Sequence, residues 1–315
     1  MRELKIKRIE VDENNRRAEN IKSFVAESEY RYSRRIEAVA ERIEEEIGRK
    51  SVLLIAGPSA SGKTTTAHEV SARLALAGIN APVISLDDFY KGVDKLPRRV
   101  NGEPDLESVY GLDLAAMERC FARLFECGSA LFPRYDFATG RSVPDAHEIT
   151  TGERGILIIE GIHALNPLIT GDLDENMFLR LYVRTATEFV HGGKVVMSPE
   201  DTRKVRRMVR DHYYRATSLE RTLDLWEGVL EGELKYIHPY IGEADFAMNT
   251  TYDYEPNVFH NYLFPLLTEA AAFGKTRYSK EFVRLREAFN RFEDIPAESV
   301  PASSMLREFI PEKNN

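Results

Sequence analysis

Residues 51–77 read "SVLLIAGPSASGKTTTAHEVSARLALA": an apolar run of strand length, a loop bounded by glycines, and a helical pattern that stops at Gly78. Gly57 to Thr64 fit the spacing G-x-x-x-x-G-K-[ST], in which loop N–H groups surround phosphate oxygens, the lysine reaches the β/γ phosphates and the final hydroxyl faces Mg²⁺. Its place between a strand and a helix matters more than the pattern. A helix N-terminus presents unpaired N–H groups and the positive end of its dipole, and so favours an anion. The alternative is an ordinary glycine-rich turn. On the first reading the nucleotide cradle comprises Gly57, Ser59, Ala60, Ser61, Gly62, Lys63, Thr64 and Thr65.

Other strand-like runs occur at 82–86, 155–160, 177–183 and 244–249. Helical patterns occupy 64–77, 112–127, 200–216, 218–236 and 256–272. This alternation predicts an α/β fold of the P-loop NTPase type, a parallel sheet with helices on both faces and ligands at the carboxyl ends of its strands. The expected core is 51–275. Before it lies a helical extension, 1–50, in which Ile36, Val39, Ile43 and Ile47 form one stripe. The stripe suits packing on the core; an oligomer contact is the alternative. After the core come a charged helix near 280–292 and the tail "IPAESVPASSMLREFIP".

The chain has 315 residues and a net charge of −8, which argues against nonspecific coverage of nucleic acid. No apolar run reaches the eighteen or so residues of a membrane helix, and "MRELKIKRIEVDE" lacks the apolar centre of a signal peptide, so a cytoplasmic location is expected. Cys120 and Cys127 match neither a zinc pattern nor a disulfide framework.

A phosphate loop alone does not separate a GTPase, a transport ATPase and a small-molecule kinase. Neither N-K-x-D nor L-S-G-G-Q is present. The second strand instead runs into "ISLDDFYKG", which brings Asp87 and Asp88 to a strand end facing the loop. A carboxylate there can accept a hydroxyl proton or bind Mg²⁺ through water, while the other caps a turn, as expected of Asp88. Residues 203–215 carry Arg203, Lys204, Arg206, Arg207, Arg210 and Arg215 against Asp211. Such a run is either a solvated face or, beside a phosphate loop, an Arg-rich helical lid, here about 191–221, that neutralises the transferring phosphoryl group.

With "GPSASGKTT", "ISLDDFYK", "FPRYDF", "ILIIEGIHAL" and "RKVRRMVRD" in this order, the chain resembles the uridine kinase and phosphoribulokinase group. The end of the chain is similar to a bacterial branch labelled nucleoside kinase. Some members of that branch carry a domain like the amino-terminal part of threonyl-tRNA synthetase. That domain is expected to be absent, since about fifty residues precede the loop.

The resemblance implies an ATP- and Mg²⁺-dependent kinase acting on the 5′-hydroxyl of a nucleoside. It makes Asp87 the general base, with a part in holding Mg²⁺, and Glu160 the acidic residue that surrounds Mg²⁺ with Thr64; a helix-cap role is the alternative for Glu160. Asp113 aligns with the residue that binds the ribose diol, a bidentate acceptor for two hydroxyl donors. Tyr135 aligns with the tyrosine at the base, or is an ordinary core tyrosine, and Tyr90 and Arg141 join it as substrate-binding candidates. Arg206, Arg207, Arg210 and Arg215 match lid positions, with Lys63, Arg207 and Arg210 acting on the reacting phosphate; a further lid arginine is Thr217 here. After "YDF" the pyrimidine kinases carry a histidine where this chain has Thr139 and Gly140, and the next histidine is His147. A kinase of another polyol, such as a sugar or cyclitol, therefore stays open, as does a nucleotide-binding regulator without catalysis.

Overall fold

The computed structural model describes residues 5–99, 101–152, 154–171, 173–273 and 276–311; the outer ends of both expected extensions and position 275, where the expected core closes, lie outside them. In chain order the elements are β1 (Lys7–Glu10), α1 (Val11–Ala18), α2 (Ile21–Glu46), β2 (Val52–Ala56), α3 (Lys63–Leu76), β3 (Val83–Ser85), α4 (Leu114–Cys127), β4 (Ser129–Asp136), β5 (Arg141–Thr150) and β6 (Leu157–Glu160). Then follow α5 (Pro167–Thr170), β7 (Phe178–Arg184), β8 (Thr187–His191), β9 (Lys194–Met197), α6 (Pro199–Arg215), α7 (Leu219–Gly232), β10 (Phe246–Asn249), α8 (Glu255–Phe273) and α9 (Ser279–Phe289).

Five parallel strands form the main sheet in the order β10-β7-β2-β6-β3. β2 lies in the middle and is buried on both faces, which is why "VLLIA" is apolar without alternation. Its loop therefore opens between the ends of β6 and β7. Each expected strand and helix of the core is present, and the helix expected over 218–236 closes at Gly232 into a wider turn, Glu233–Ile237. Local signals account for several ends. Ser198 and Asp201 form a reciprocal capping box on α6 with Pro199 behind it, and α4 runs from an Asp113 cap to Gly128 at φ +72°.

Two smaller sheets were not anticipated: the antiparallel hairpin β4-β5, and β1-β8-β9, in which β1 pairs with a strand about 180 residues away. Ile36, Val39 and Ile43 of α2 are buried in the same apolar core as Leu53 and Leu181, as are Met305, Leu306, Phe309 and Ile310 near the other end. Each such side chain contributes roughly 1.5–3 kcal/mol. Ile47, last in the stripe, is half-buried. Asp253, after β10, accepts hydrogen bonds from Lys7 (2.7 Å), Arg17 (3.1 Å) and Arg31 (2.8 Å), fastening the first elements to the core. Among the described residues no helix is long and apolar enough to cross a membrane.

Candidate active site

At the carboxyl end of β2 the chain turns hard against β7. A Cβ on Gly57 would lie 2.1 Å from the Val183 carbonyl oxygen, so only glycine fits there, and Gly62 takes φ +84° as α3 begins at Lys63. The loop's carbonyls are held from outside. Arg203 Nη1 donates to Ser59 O (3.2 Å), Arg206 Nη1 to Ala60 O (3.2 Å) and Thr250 Oγ1 to Ser61 O (2.6 Å). Ser61 N–H donates to Pro58 O within the loop (3.2 Å), so the N–H groups facing an anion are those of the first turn of α3, which have no intrahelical partner.

Two strand ends bring polar side chains to the loop. Glu160, ending β6 and buried, accepts from Ser85 Oγ (2.7 Å) at the end of β3 and from Thr64 Oγ1 (3.2 Å). Burial pushes its carboxyl up to about 7, with Lys63 and both hydroxyls opposing the rise. Asp87 is half-buried; desolvation raises its carboxyl as well, with Lys63 pulling it down and Asp88 pushing it up. Strand β3 ends at Ser85, and residues 86–89 form a 3-10 turn, so Asp87 and Asp88 are separated by a turn, not by the alternation of a strand. Asp88 Oδ1 accepts the Tyr135 N–H (3.2 Å) and so ties the hairpin to this turn.

On the hairpin side, Tyr90, Tyr135 and Phe137 form an aromatic group with ring centroids 4.8–6.2 Å apart, and Tyr90 Oη donates to Leu106 O (2.6 Å). Asp113 Oδ1 caps α4 through the Ala116 N–H (2.9 Å). Arg141 is exposed on β5, paired in register with Asp136.

Helix α6, expected as a lid, lies packed along the loop, and its arginines divide. Arg207 reaches Ser59 Oγ (3.0 Å) and Asp211 (3.3 Å), Arg215 reaches Asp211 (3.0 Å), and Arg210 reaches Glu308 (3.2 Å). Arg206, expected among the phosphate ligands, is fully buried behind the loop. Its guanidinium is bidentate to Glu255 (2.8 and 3.2 Å) and donates to Thr250 O (3.0 Å). The structure assigns it to loop support, because a buried guanidinium needs a carboxylate and Glu255 provides it.

Sequence reasoning missed four nearby groups. Ser85 orients Glu160. Glu107 is pushed up to about 7 by burial, with Arg207 opposing, and His163 is pulled down to about 4 by burial and by Lys63. Glu308 comes from far along the chain and bonds to Thr65 Oγ1 at 2.7 Å. Ser85 and His163 lie in "ISLDDFYK" and "ILIIEGIHAL", and Glu308 in the tail "IPAESVPASSMLREFIP", but none of them was read as a site residue.

The model of the Phosphoribulokinase / Uridine kinase family matches residues 52–254, more than half of the chain and all of this site except Glu255 and Glu308. The chain belongs to this family. Uridine-cytidine kinase B of Dictyostelium discoideum is 27% identical over 195 residues, covering 62% of this chain and 72% of the relative. A uridine kinase of Lactobacillus johnsonii is 27% identical over 213 residues, covering 64% and 92%. Among solved structures, a fructose transport system kinase candidate from Silicibacter sp. superposes with a TM-score of 0.50 at 19% identity, over 68% of this chain and 98% of the other, a likeness of fold. Family membership makes the protein a P-loop kinase by descent. The residues present fit magnesium and a nucleotide: a loop that a Cβ at position 57 would block, a lysine beside two desolvated carboxylates, and a hydroxyl already on Glu160.

Proposed function

We propose that the protein transfers the γ-phosphoryl group of ATP, with Mg²⁺, to the 5′-hydroxyl of a nucleoside. The observation that carries this reading is the cluster of Asp87, Glu160 and Lys63 beyond the carboxyl ends of β3, β6 and β2, where burial raises both carboxyls and Lys63 opposes the rise in each. Lys63 and the loop N–H groups bind the β/γ phosphates. Thr64 and Glu160 would hold the metal, which would supply charge neutralisation at the phosphates. The Asp87 carboxylate takes the proton of the acceptor hydroxyl as its oxygen bonds to the γ-phosphorus and the bond to the β–γ bridging oxygen breaks. Burial, which raises the Asp87 carboxyl, makes its carboxylate a stronger proton acceptor and so suits that task. Asp113 receives the diol through the oxygen not used as a cap, Tyr135 and its aromatic neighbours hold a planar base, and Arg207 and Arg210 neutralise charge in the transition state.

A second reading, a kinase of a non-nucleoside polyol, is favoured by the hairpin tip. Thr139, near where pyrimidine kinases carry a histidine, donates its hydroxyl to Asp136 Oδ2 (2.8 Å) and so is engaged within its own turn. A phosphorylation screen over nucleosides, pentoses and cyclitols, read by ADP release, separates the two. Turnover with nucleosides alone supports the first reading, turnover with cyclitols or sugars alone replaces it with the second, and no turnover with any acceptor overturns both.

A further inference from the structure

Residues 300–310 return to the phosphate loop and are anchored from Ser304 onward. Leu306, Phe309 and Ile310 are fully buried, and Met305 Sδ would lie 3.1 Å from a Cβ on Gly62. The Phe309 ring stacks against the guanidinium groups of Arg206 (5.2 Å) and Arg210 (5.6 Å), and Arg307 donates to Ala297 O (3.0 Å) and Pro301 O (3.3 Å). This leaves Glu308 aimed at the site. One carboxylate oxygen accepts from Thr65 Oγ1 (2.7 Å) and the other from Arg210 Nη1 (3.2 Å).

Thr65 lies in the first turn of α3, where the hydroxyl and the helix dipole face an anion, and Arg210 is a cation of the helix beside the loop. Both are groups that phosphate oxygens need. A carboxylate on both satisfies them in place of phosphate, and it repels a polyphosphate brought to the same spot.

We propose that Glu308 is an internal occupant of the nucleotide site, whose carboxylate stands in for a phosphate on Thr65 and Arg210 and must turn away before nucleotide binds. Because Leu306, Phe309 and Ile310 hold the backbone in the core, release is a rotation of the Glu308 side chain, which is about a quarter exposed, and not an unfolding of the segment. Nucleotide binds only the fraction of molecules in which the carboxylate has left, and its apparent affinity falls by that fraction. The proposal rests on the reading of the loop as an ATP site.

The test is calorimetric titration of the full chain with Mg·ADP and with inorganic pyrophosphate, for the wild type, Glu308→Gln and Glu308→Ala. Both substitutions remove the charge, and glutamine keeps the size. Mg·ADP and pyrophosphate should bind on the order of tenfold more tightly to both variants, the scale of a charge-assisted hydrogen bond that no longer has to be broken. Equal or weaker binding by folded variants, or a Glu308→Gln protein that does not fold, would make Glu308 a structural tie and overturn the proposal. A wild type that binds and turns over ATP, with variants no tighter, removes this inference alone. No binding by any of the three removes the nucleotide reading with it.

Discussion

Thr64 Oγ1 donates a hydrogen bond to Glu160 Oε1 across 3.2 Å, joining the first turn of α3 to the end of β6. The same oxygen accepts from Ser85. A buried carboxylate thus has two neutral donors and one lysine, Lys63, nearby, and lacks enough positive charge to stay ionised easily at neutral pH.

That arrangement gives a pH-dependent stability. Glu160 is raised from an ordinary 4.5 to about 7, so between those values the folded protein keeps a proton that the unfolded chain has released, and this group's effect on stability worsens as pH rises through the window. Without magnesium, Glu160→Gln should melt above the wild type at pH 8 and level with it at pH 5. A melting difference that does not change with pH would contradict the burial argument.

The neighbouring aspartates should separate cleanly. Asp87→Asn keeps the size and removes the basicity, and kcat should fall on the order of a hundredfold or more with little change in nucleotide affinity. Asp88→Asn retains an oxygen to accept the Tyr135 N–H and should be mild. Steady-state kinetics decide, and a dead Asp88→Asn enzyme would move the base by one residue.

Adjacent arginines on α6 should fail in different ways. Arg206→Ala strands the buried Glu255 carboxylate, a loss of about 3–5 kcal/mol that a denaturant melt would show. Arg207→Ala removes a half-buried contact to Ser59 and should fold normally while losing kcat. A stable Arg206→Ala protein would place that side chain outside the support of the loop.

Asp253 should be a stability residue. Burial alone would raise its carboxyl, but Lys7, Arg31 and Arg17 bring it below the ordinary 3.8, so its contribution is present above that value and lost as pH falls through the lowered one. Asp253→Asn should cost about 2 kcal/mol at pH 7, discounted from a fully buried pair because its cations are partly exposed, and less near pH 3. Urea melts at the two pH values measure it.

Much of this was legible beforehand where the signal is local. The strand–loop–helix of β2 and α3 is one contiguous stretch, and the stripe Ile36, Val39, Ile43 announces a buried face because 3.6-residue periodicity needs no partner to be seen. The basic run on α6 was legible as charge but not as function. Arg206 and Arg207 are neighbours in sequence, yet about 100° of helix rotation turns one toward Glu255 and the other toward Ser59.

The parallel α/β order, the phosphate loop and the acids after β3 and at the end of β6 could be read from the chain alone, because each depends on residues within a few turns of chain and on backbone rules common to all proteins. Which arginines are buried, the pairing of β1 with β8 and the place of Glu308 on Thr65, 243 residues earlier, emerge only when distant parts of the chain pack together. The reason is physical: desolvation and long-range hydrogen bonding depend on what is brought alongside, and no short window of sequence contains both partners.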